Sequence, residues 1–311
     1  MARQKTPRDP AQEIADFFIA KLEAGVRPWV RPWTTSFIDD CPLRANGEKY
    51  HGINHFWLTL MRDSHGYDSP YWMTYKQAEE LGGQVRKGER SQIAIFYKVG
   101  QTKGSGTPPD EYDPTNDSHE AARTYRMLRY YAVFNASQIE GLPDHFYAKP
   151  IERPIPPSEH REKIDAYFSK VPAIIRHGGD RAYYSPSSDH VQMPNPEAFK
   201  TYEDYASTLA HELTHWTGGK TRLNRTFGKR FGDTDYQFEE LAAEMGSHQV
   251  TRYLGLPDFI HDREASYIAS WIKGLRNEKH AILAAAAKAF EAFTYLQTFQ
   301  QTDSEQLPIA A

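Results

Sequence analysis

Two histidines four residues apart are the part of this chain best suited to chemistry. His211 and His215 enclose Glu212 in the sequence HELTH. In a helix, residues four apart lie on the same face, so both imidazole rings can point at one metal ion. This HExxH pattern is typical of zinc hydrolases, in which the glutamate is the general base. The alternative is a pair of surface histidines beside a solvated glutamate, so the pattern needs support from other residues.

A catalytic zinc ion needs a third protein ligand. The metzincin pattern HExxHxxGxxH continues correctly at Gly218, but its third histidine is replaced by Thr221. A carboxylate from a later helix is the alternative, and the segment 236–254 supplies Glu240 and Glu244 one turn apart. We assign Glu240 to zinc and Glu244 to the free ring nitrogen of a ligating histidine, which would fix its tautomer. An exchange of these two roles remains open.

In this interpretation Glu212 takes a proton from the attacking water molecule and passes it to the leaving amine. A hydrogen-bond donor must also stabilise the transition state, and the sequence does not rank the candidates Tyr183, Tyr236 and His248. The segment 183–193 could hold an extended peptide as an edge strand, through main-chain hydrogen bonds.

The helix that carries the HExxH pattern is predicted to begin at Thr201. Thr201 and Asp204 match a helix-start box. Apolar residues then recur on a face that excludes the two histidines; these are Tyr205, Leu209, Leu213 and Trp216. Similar patterns predict a hairpin (182–186 with 190–194) and further helices over residues 158–171, 236–254, 265–275 and 279–299.

The chain is long enough for two domains, and a proline-rich segment divides it. It has 311 residues, of which 39% are hydrophobic, and this is enough for packed cores. Residues 150–157 contain four prolines and predict a semi-rigid linker. We therefore predict an α+β protein with an α+β domain in residues 1–149. Residues 158–311 would form a mostly helical domain with a small antiparallel sheet.

The sequence also favours a cytoplasmic protein. Its single cysteine, Cys41, cannot form an internal disulfide and excludes a thiolate-rich zinc site. The first ten residues are charged and lack the apolar segment of a secretory signal. No apolar run approaches the roughly 20 residues of a membrane span, so we expect no membrane association.

The first half combines basic and aromatic residues. Residues 1–150 hold 19 Lys and Arg against 19 Asp and Glu, whereas the whole chain has a net charge of −4. Tryptophans and arginines alternate in segment 26–33, and aromatic residues recur in the predicted strands 92–99 and 125–134. Such residues can stack on unpaired bases and contact phosphates, although packing in the core is an equal alternative. The candidate DNA contacts are Arg27, Trp29, Arg31, Trp33, Trp72, Lys76, Arg86, Lys87, Arg90 and Lys98.

Several segments, taken in order, resemble the ArdC family of antirestriction proteins. In the first half they are 28–33 (PWVRPW), 52–54 (GIN), 71–78 (YWMTYKQA) and 81–89 (LGGQVRKGE). In the second half they are 211–215 (HELTH) and 239–244 (EELAAE).

This resemblance implies a first domain that binds single-stranded DNA and a zincin-like metallopeptidase second domain. It also implies a plasmid-borne protein that protects incoming conjugative DNA from host restriction. Two hypotheses remain. The protein could be a DNA-tethered metallopeptidase that cleaves a host or DNA-bound protein. It could instead be a DNA-binding protector whose zinc site is structural or unused.

Overall fold

The computed structural model describes residues 9–26, 36–37, 41–101, 124–148, 153–154, 157–227, 234–256 and 264–300. In the first half the elements are α1 (Pro10–Glu23), β1 (Ser36–Phe37), β2 (Leu43–Arg44), α2 (Gly52–His65), β3 (Tyr71–Met73), α3 (Tyr75–Glu80), β4 (Gln84–Val85), β5 (Gln92–Gln101), β6 (Thr124–Asn135), β7 (Ile139–Glu140) and β8 (Arg153–Pro154). In the second half they are α4 (Pro157–Ser169), β9 (Ile174–His177), β10 (Tyr183–Ser185), β11 (His190–Met193), α5 (Tyr202–Thr217), α6 (Thr234–Leu254), α7 (Glu264–Asn277) and α8 (Ala281–Thr298). None of the helices described is both long and apolar enough to cross a membrane.

A four-stranded sheet in the order β2-β3-β6-β5 organises the first half. The long strands β5 and β6 pair antiparallel from Gln92 opposite Val133 to Gln101 opposite Thr124. Helix α2 covers the free edge of β5. The Asn54 side-chain amide of α2 accepts a hydrogen bond from the Ile95 N–H at 2.7 Å and donates one to the Ile95 carbonyl at 2.6 Å. A side chain therefore satisfies backbone groups that an edge strand would otherwise expose.

The second half contains the predicted hairpin and the predicted helices. Strands β10 and β11 pair antiparallel, with Tyr183 opposite Gln192. The sheet is not wholly antiparallel as predicted, because β9 adds to β11 in the parallel direction, with His190 opposite Ile174. The apolar pattern of a strand predicts which face is buried but not the direction of its neighbour.

The two halves share a hydrophobic core. It joins buried residues of α1, α2 and the first-half strands to those of α6, α7 and α8. Phe18 of α1 stacks on Phe56 of α2 at 5.8 Å between ring centroids, and both belong to the cluster that includes Leu283 of α8. Ion pairs also connect the two halves, and they include Asp9–Lys279, Glu23–Arg276 and Asp63–Arg252. The predicted linker 150–157 thus separates two parts of the sequence that are packed together.

Candidate metal centre

Helix α5 places the two histidines of the HExxH pattern beside each other. The Thr201 hydroxyl accepts from the Asp204 N–H and the Asp204 carboxylate accepts from the Thr201 N–H, both at 3.1 Å. This capping box fixes the start of the helix. The predicted stripe from Tyr205 to Trp216 is buried in the core of the second half. The rings of His211 and His215 lie off this stripe, 4.8 Å apart.

Glu240 of α6 completes a group that could hold a cation. His211 Nε2 and His215 Nε2 are 3.2 Å apart. The two Glu240 oxygens each lie 3.6 Å from one of these nitrogens. Metal–ligand bonds of about 2.0–2.2 Å at tetrahedral angles would separate the ligand atoms by about 3.3–3.6 Å. The observed separations are close to these values, so the three side chains can converge on a zinc-sized cation.

The protonation of this group reflects its charge balance. Burial would raise the pKa of Glu240, but the hydrogen bond with His211 and the charges of both histidines outweigh it and lower the pKa to about 2. Burial would lower the pKa of His211, but its contacts with Glu240 and Glu244 hold it well above the ordinary value. The carboxylates thus attract positive charge to this point, and a cation can supply it.

The remaining ring nitrogens both face carboxylates. Glu244 Oε2 lies 3.5 Å from His211 Nδ1, whereas Glu240 faces the two Nε2 atoms. Glu239 Oε1 lies 3.3 Å from His215 Nδ1. No role for Glu239 was predicted from the sequence, although it adjoins Glu240 in the same motif.

Glu212 is buried beside the group without belonging to it. Its side chain is 6% exposed, and its charge is one of the causes that raise the pKa of His211. The proposed ligands are His211, His215 and Glu240. Glu212 is therefore available for proton transfer.

Among the three candidate transition-state donors, Tyr236 lies next to the proposed ligands. Its hydroxyl is 3.1 Å from that of Tyr267 and bonds to Glu240, which lowers the pKa of that carboxyl. Burial and the bond with Tyr267 raise the pKa of Tyr236, so its hydroxyl stays protonated and able to donate. Tyr183 is 46% exposed on β10. His248 lies one turn beyond Glu244 and is partly buried.

Strand β10 lies at an edge of its sheet within the described residues. Tyr184 of this strand is 5.8 Å from the Phe227 ring, which is in turn 6.4 Å from the His215 ring. A peptide paired with this edge would therefore run close to the metal ligands.

Some of the predicted DNA contacts are exposed in the structure, one is buried, and the others lie outside the described residues. Trp72 has no exposed surface, because it packs edge-on to Tyr67 within the shared core. It is a core residue, and its assignment as a DNA contact was wrong. Four of the basic candidates are exposed, and they are Lys76, Arg86, Lys87 and Arg90. Two of them form ion pairs, Lys76 with Glu80 and Arg86 with Glu89. Arg27, Trp29, Arg31 and Trp33 lie outside the described residues, as does the side chain of Lys98.

Gly246 allows α6 to approach α5 closely. A Cβ atom at this position would lie 2.6 Å from Thr214 Cγ2, and the Thr214 hydroxyl is held by the Ala210 carbonyl at 2.8 Å. Gly246→Ala is therefore expected to destabilise the protein by about 1–3 kcal/mol and to weaken metal binding. Chemical denaturation and zinc titration measure these two effects.

Gly274 provides the matched control. It lies in α7, where an added Cβ would meet none of the described atoms within 4 Å. Gly274→Ala is expected to stabilise the protein by about 0.5–1 kcal/mol through helix propensity. A similar gain for Gly246→Ala would show that the two helices are not in close contact.

The HExxH helix, the carboxylate helix against it and the small sheet define a zincin-like fold. In agreement, residues 162–288 match the family model of a zincin-like metallopeptidase domain. Residues 8–134 match the model of the N-terminal domain of the anti-restriction factor ArdC. The predicted two-domain α+β architecture is thus confirmed.

Two solved structures match this chain over both halves. The crystal structure of the antirestriction protein ArdC from plasmid R388 is 40% identical in its metal-free form, covers 94% of this chain and 98% of its own, and superposes with a TM-score of 0.72. Its Mn(II)-bound form is 39% identical, with the same TM-score and coverage of 96% and 100%. This chain belongs to the ArdC family of antirestriction proteins, as its motifs predicted.

Two further relatives differ in length. An uncharacterized protein, y4eC, from Sinorhizobium fredii is 34% identical over 97% of this chain and 95% of its own length. A DNA primase TraC from Escherichia coli is 36% identical over 98% of this chain but only 28% of its own length. The ArdC-like unit therefore occurs both alone and as part of a larger protein.

Proposed function

We propose that this protein protects incoming plasmid DNA from restriction, by binding single-stranded DNA and by hydrolysing a protein substrate at a zinc centre. The observation that carries the catalytic part is the group of two histidines and one glutamate at ligand spacing. Membership of the ArdC family supports the antirestriction role.

His211, His215 and Glu240 would hold the cation. Two imidazoles and a carboxylate form a donor set that catalytic zinc uses. When bound, the cation would polarise a carbonyl group and lower the pKa of a water molecule to about 7. Glu212 would accept the proton of the attacking water and deliver it to the leaving amine, while Tyr236 would donate to the developing oxyanion. Strand β10 would hold the peptide in an extended conformation.

Metal analysis of the purified protein tests this assignment. We expect about one zinc ion per chain, bound at the three ligands. Manganese is the main competitor, because the ArdC structure from plasmid R388 has a Mn(II)-bound form. Titration of metal-free protein with each ion distinguishes them. If manganese binds more tightly than zinc, the cofactor is manganese. If the protein binds neither ion, the catalytic proposal is wrong.

The DNA-binding part is supported by an exposed surface on β5 and β6. Phe96 is 44% exposed and lies opposite the exposed Arg129 in the strand register. Opposite residues project from the same face of a sheet, and the Tyr131 ring is 5.7 Å from that of Phe96. A ring beside a guanidinium offers a stacking surface and a phosphate contact to a single strand.

Substitution of this pair should weaken DNA binding. Phe96→Ala is expected to reduce the affinity for a single-stranded oligonucleotide about 5- to 150-fold, because stacking contributes about 1–3 kcal/mol per base. Arg129→Ala should reduce the slope of log affinity against log salt concentration by the contribution of about one phosphate contact. Fluorescence anisotropy at several salt concentrations measures both effects.

Arg176→Ala is the control, since Arg176 is an exposed arginine of β9 in the other half. It should leave DNA binding unchanged. If the unmodified protein shows no salt-sensitive binding to single strands, the DNA-binding function is excluded. If it binds but both variants bind equally well, the contact surface lies elsewhere.

The second candidate function is a DNA-binding protector whose metal site is structural. Residues 8–134 match the model of the ArdC N-terminal domain, and DNA binding by this part of the chain would protect without catalysis. Both functions predict the same metal ligands. They differ only in whether Glu212 is needed.

A further inference from the structure

The segment that follows α5 folds back over the metal centre. Arg225 lies in this segment and is 8% exposed. Its guanidinium donates to Glu239 at 2.8–3.2 Å, to the Thr217 hydroxyl at 2.8 Å and to the Thr214 carbonyl at 2.5 Å. The five donors of arginine form a rigid fork, so these bonds fix the Glu239 carboxylate relative to α5.

Glu239 in turn contacts a proposed metal ligand. It is 2% exposed, and its Oε1 atom, which accepts from Arg225, is also the atom 3.3 Å from His215 Nδ1. We propose that Arg225 is a positioning residue of the metal centre, which holds Glu239 so that Glu239 orients His215 towards the cation. This proposal rests on the proposed metal site and extends it beyond the ligands.

The physical reason is the cost of burying a carboxylate. The Glu239 carboxylate has little contact with water, and the hydrogen bonds donated by the Arg225 guanidinium replace those that water would make. The ionised carboxylate can accept the Nδ1 proton of a neutral imidazole, and the Nε2 lone pair is then left for the cation. Without Arg225, an ionised Glu239 would remain in the interior with one partner fewer.

Gly218 provides the space for this arrangement. Its backbone is ordinary, with φ −75°, so its small size serves a steric purpose. A Cβ atom there would lie 2.9 Å from Arg225 Cζ and 2.8 Å from Phe227 Cζ. Gly218 thus leaves the space in which Arg225 reaches Glu239. Gly218 also matches the metzincin pattern, although Thr221 stands at the position of that pattern's third histidine.

Zinc and cobalt binding test the proposal. Arg225→Met and Glu239→Gln are each expected to weaken zinc binding about 10- to 100-fold in competition with a chromophoric chelator. In the double variant the two losses should not add, because both remove the same positioning of His215. The visible absorption of bound Co²⁺ should also shift in each variant, since it reports ligand geometry. Additive losses, or an unchanged cobalt spectrum, would overturn the proposal.

Arg222→Met is the matched control. Arg222 lies in the same segment but donates to Asp189, Tyr184 and the Trp216 carbonyl and makes none of the bonds to Glu239. Its substitution should leave zinc affinity and the cobalt spectrum unchanged. If it weakens zinc binding as much as Arg225→Met, the effect belongs to the folding of the segment and the proposal is wrong.

Arg225→Lys separates positioning from folding. A lysine keeps the positive charge near Glu239 but cannot reproduce the fork. We expect this variant to fold, with a thermal midpoint close to that of the unmodified protein, and to bind zinc more weakly. Unchanged zinc affinity in Arg225→Lys would contradict the proposal. If the unmodified protein binds neither metal, the metal site itself is wrong, which is a different outcome.

Discussion

Glu212→Gln is expected to reduce peptide hydrolysis at least about 100-fold while the metal remains bound. General-base catalysis contributes about 10²–10⁴-fold, and glutamine has a similar shape but cannot take up a proton. Glu212 is not one of the three proposed ligands, so zinc content and thermal stability should change little. Hydrolysis of an unfolded protein substrate and metal analysis of the same sample measure the two properties.

Glu197→Gln controls for the loss of one negative charge. Glu197 is exposed and precedes α5, and its substitution should leave hydrolysis unchanged. The decisive measurement is the transfer of plasmid DNA into a restricting host that produces the Glu212 variant. Loss of protection would support the DNA-tethered peptidase. Full protection would favour the binding protector, in which the metal site is structural or unused.

Phe18→Ala is expected to destabilise both halves of the chain together, by about 3–5 kcal/mol. Phe18 has no exposed surface, and its cluster includes residues of α8 as well as of α1 and α2. The cavity should therefore reduce the stability of α8, although Phe18 lies in the first half. Amide hydrogen exchange of residues 281–298 measures this effect, because it reports local stability.

Phe146→Ala removes the same ring from a different cluster. Phe146 is 2% exposed and packs with Met73, Ile139 and Leu142, all in the first half. We expect a comparable loss of stability near that cluster, with hydrogen exchange of α8 much less affected. Equal protection of α8 in the Phe18 variant and the unmodified protein would show that the two halves are stable independently.

Local patterns predicted the helices closely. The box at Thr201 and the apolar stripe predicted α5, and the residue patterns of 92–99 and 125–134 predicted the long strands. Capping and periodicity depend on residues within a few positions of one another, so a single sequence contains them. The same argument applies to the two histidines, whose spacing of four depends only on helix geometry.

Contacts between segments far apart in the chain could not be predicted from the sequence. The parallel pairing of β9, the burial of Trp72 and the core shared by the two halves each depend on segments far apart in the chain. An aromatic ring looks the same in a sequence whether it is buried or exposed, because its partners come from other elements. Trp72 was therefore assigned to a DNA surface, whereas the exposed Phe96 was not.

The residue types and their spacing in the sequence already define the chemistry of the centre. The sequence contains a histidine pair with a glutamate between them, it excludes a third histidine at Thr221, and it offers carboxylates on a later helix. The arrangement around each histidine depends on tertiary packing, which places Glu244 against His211, and Glu239 with Arg225 behind His215. Helix geometry fixes which residues share a face, but the packing of α6 and the following segment against α5 fixes which atoms meet.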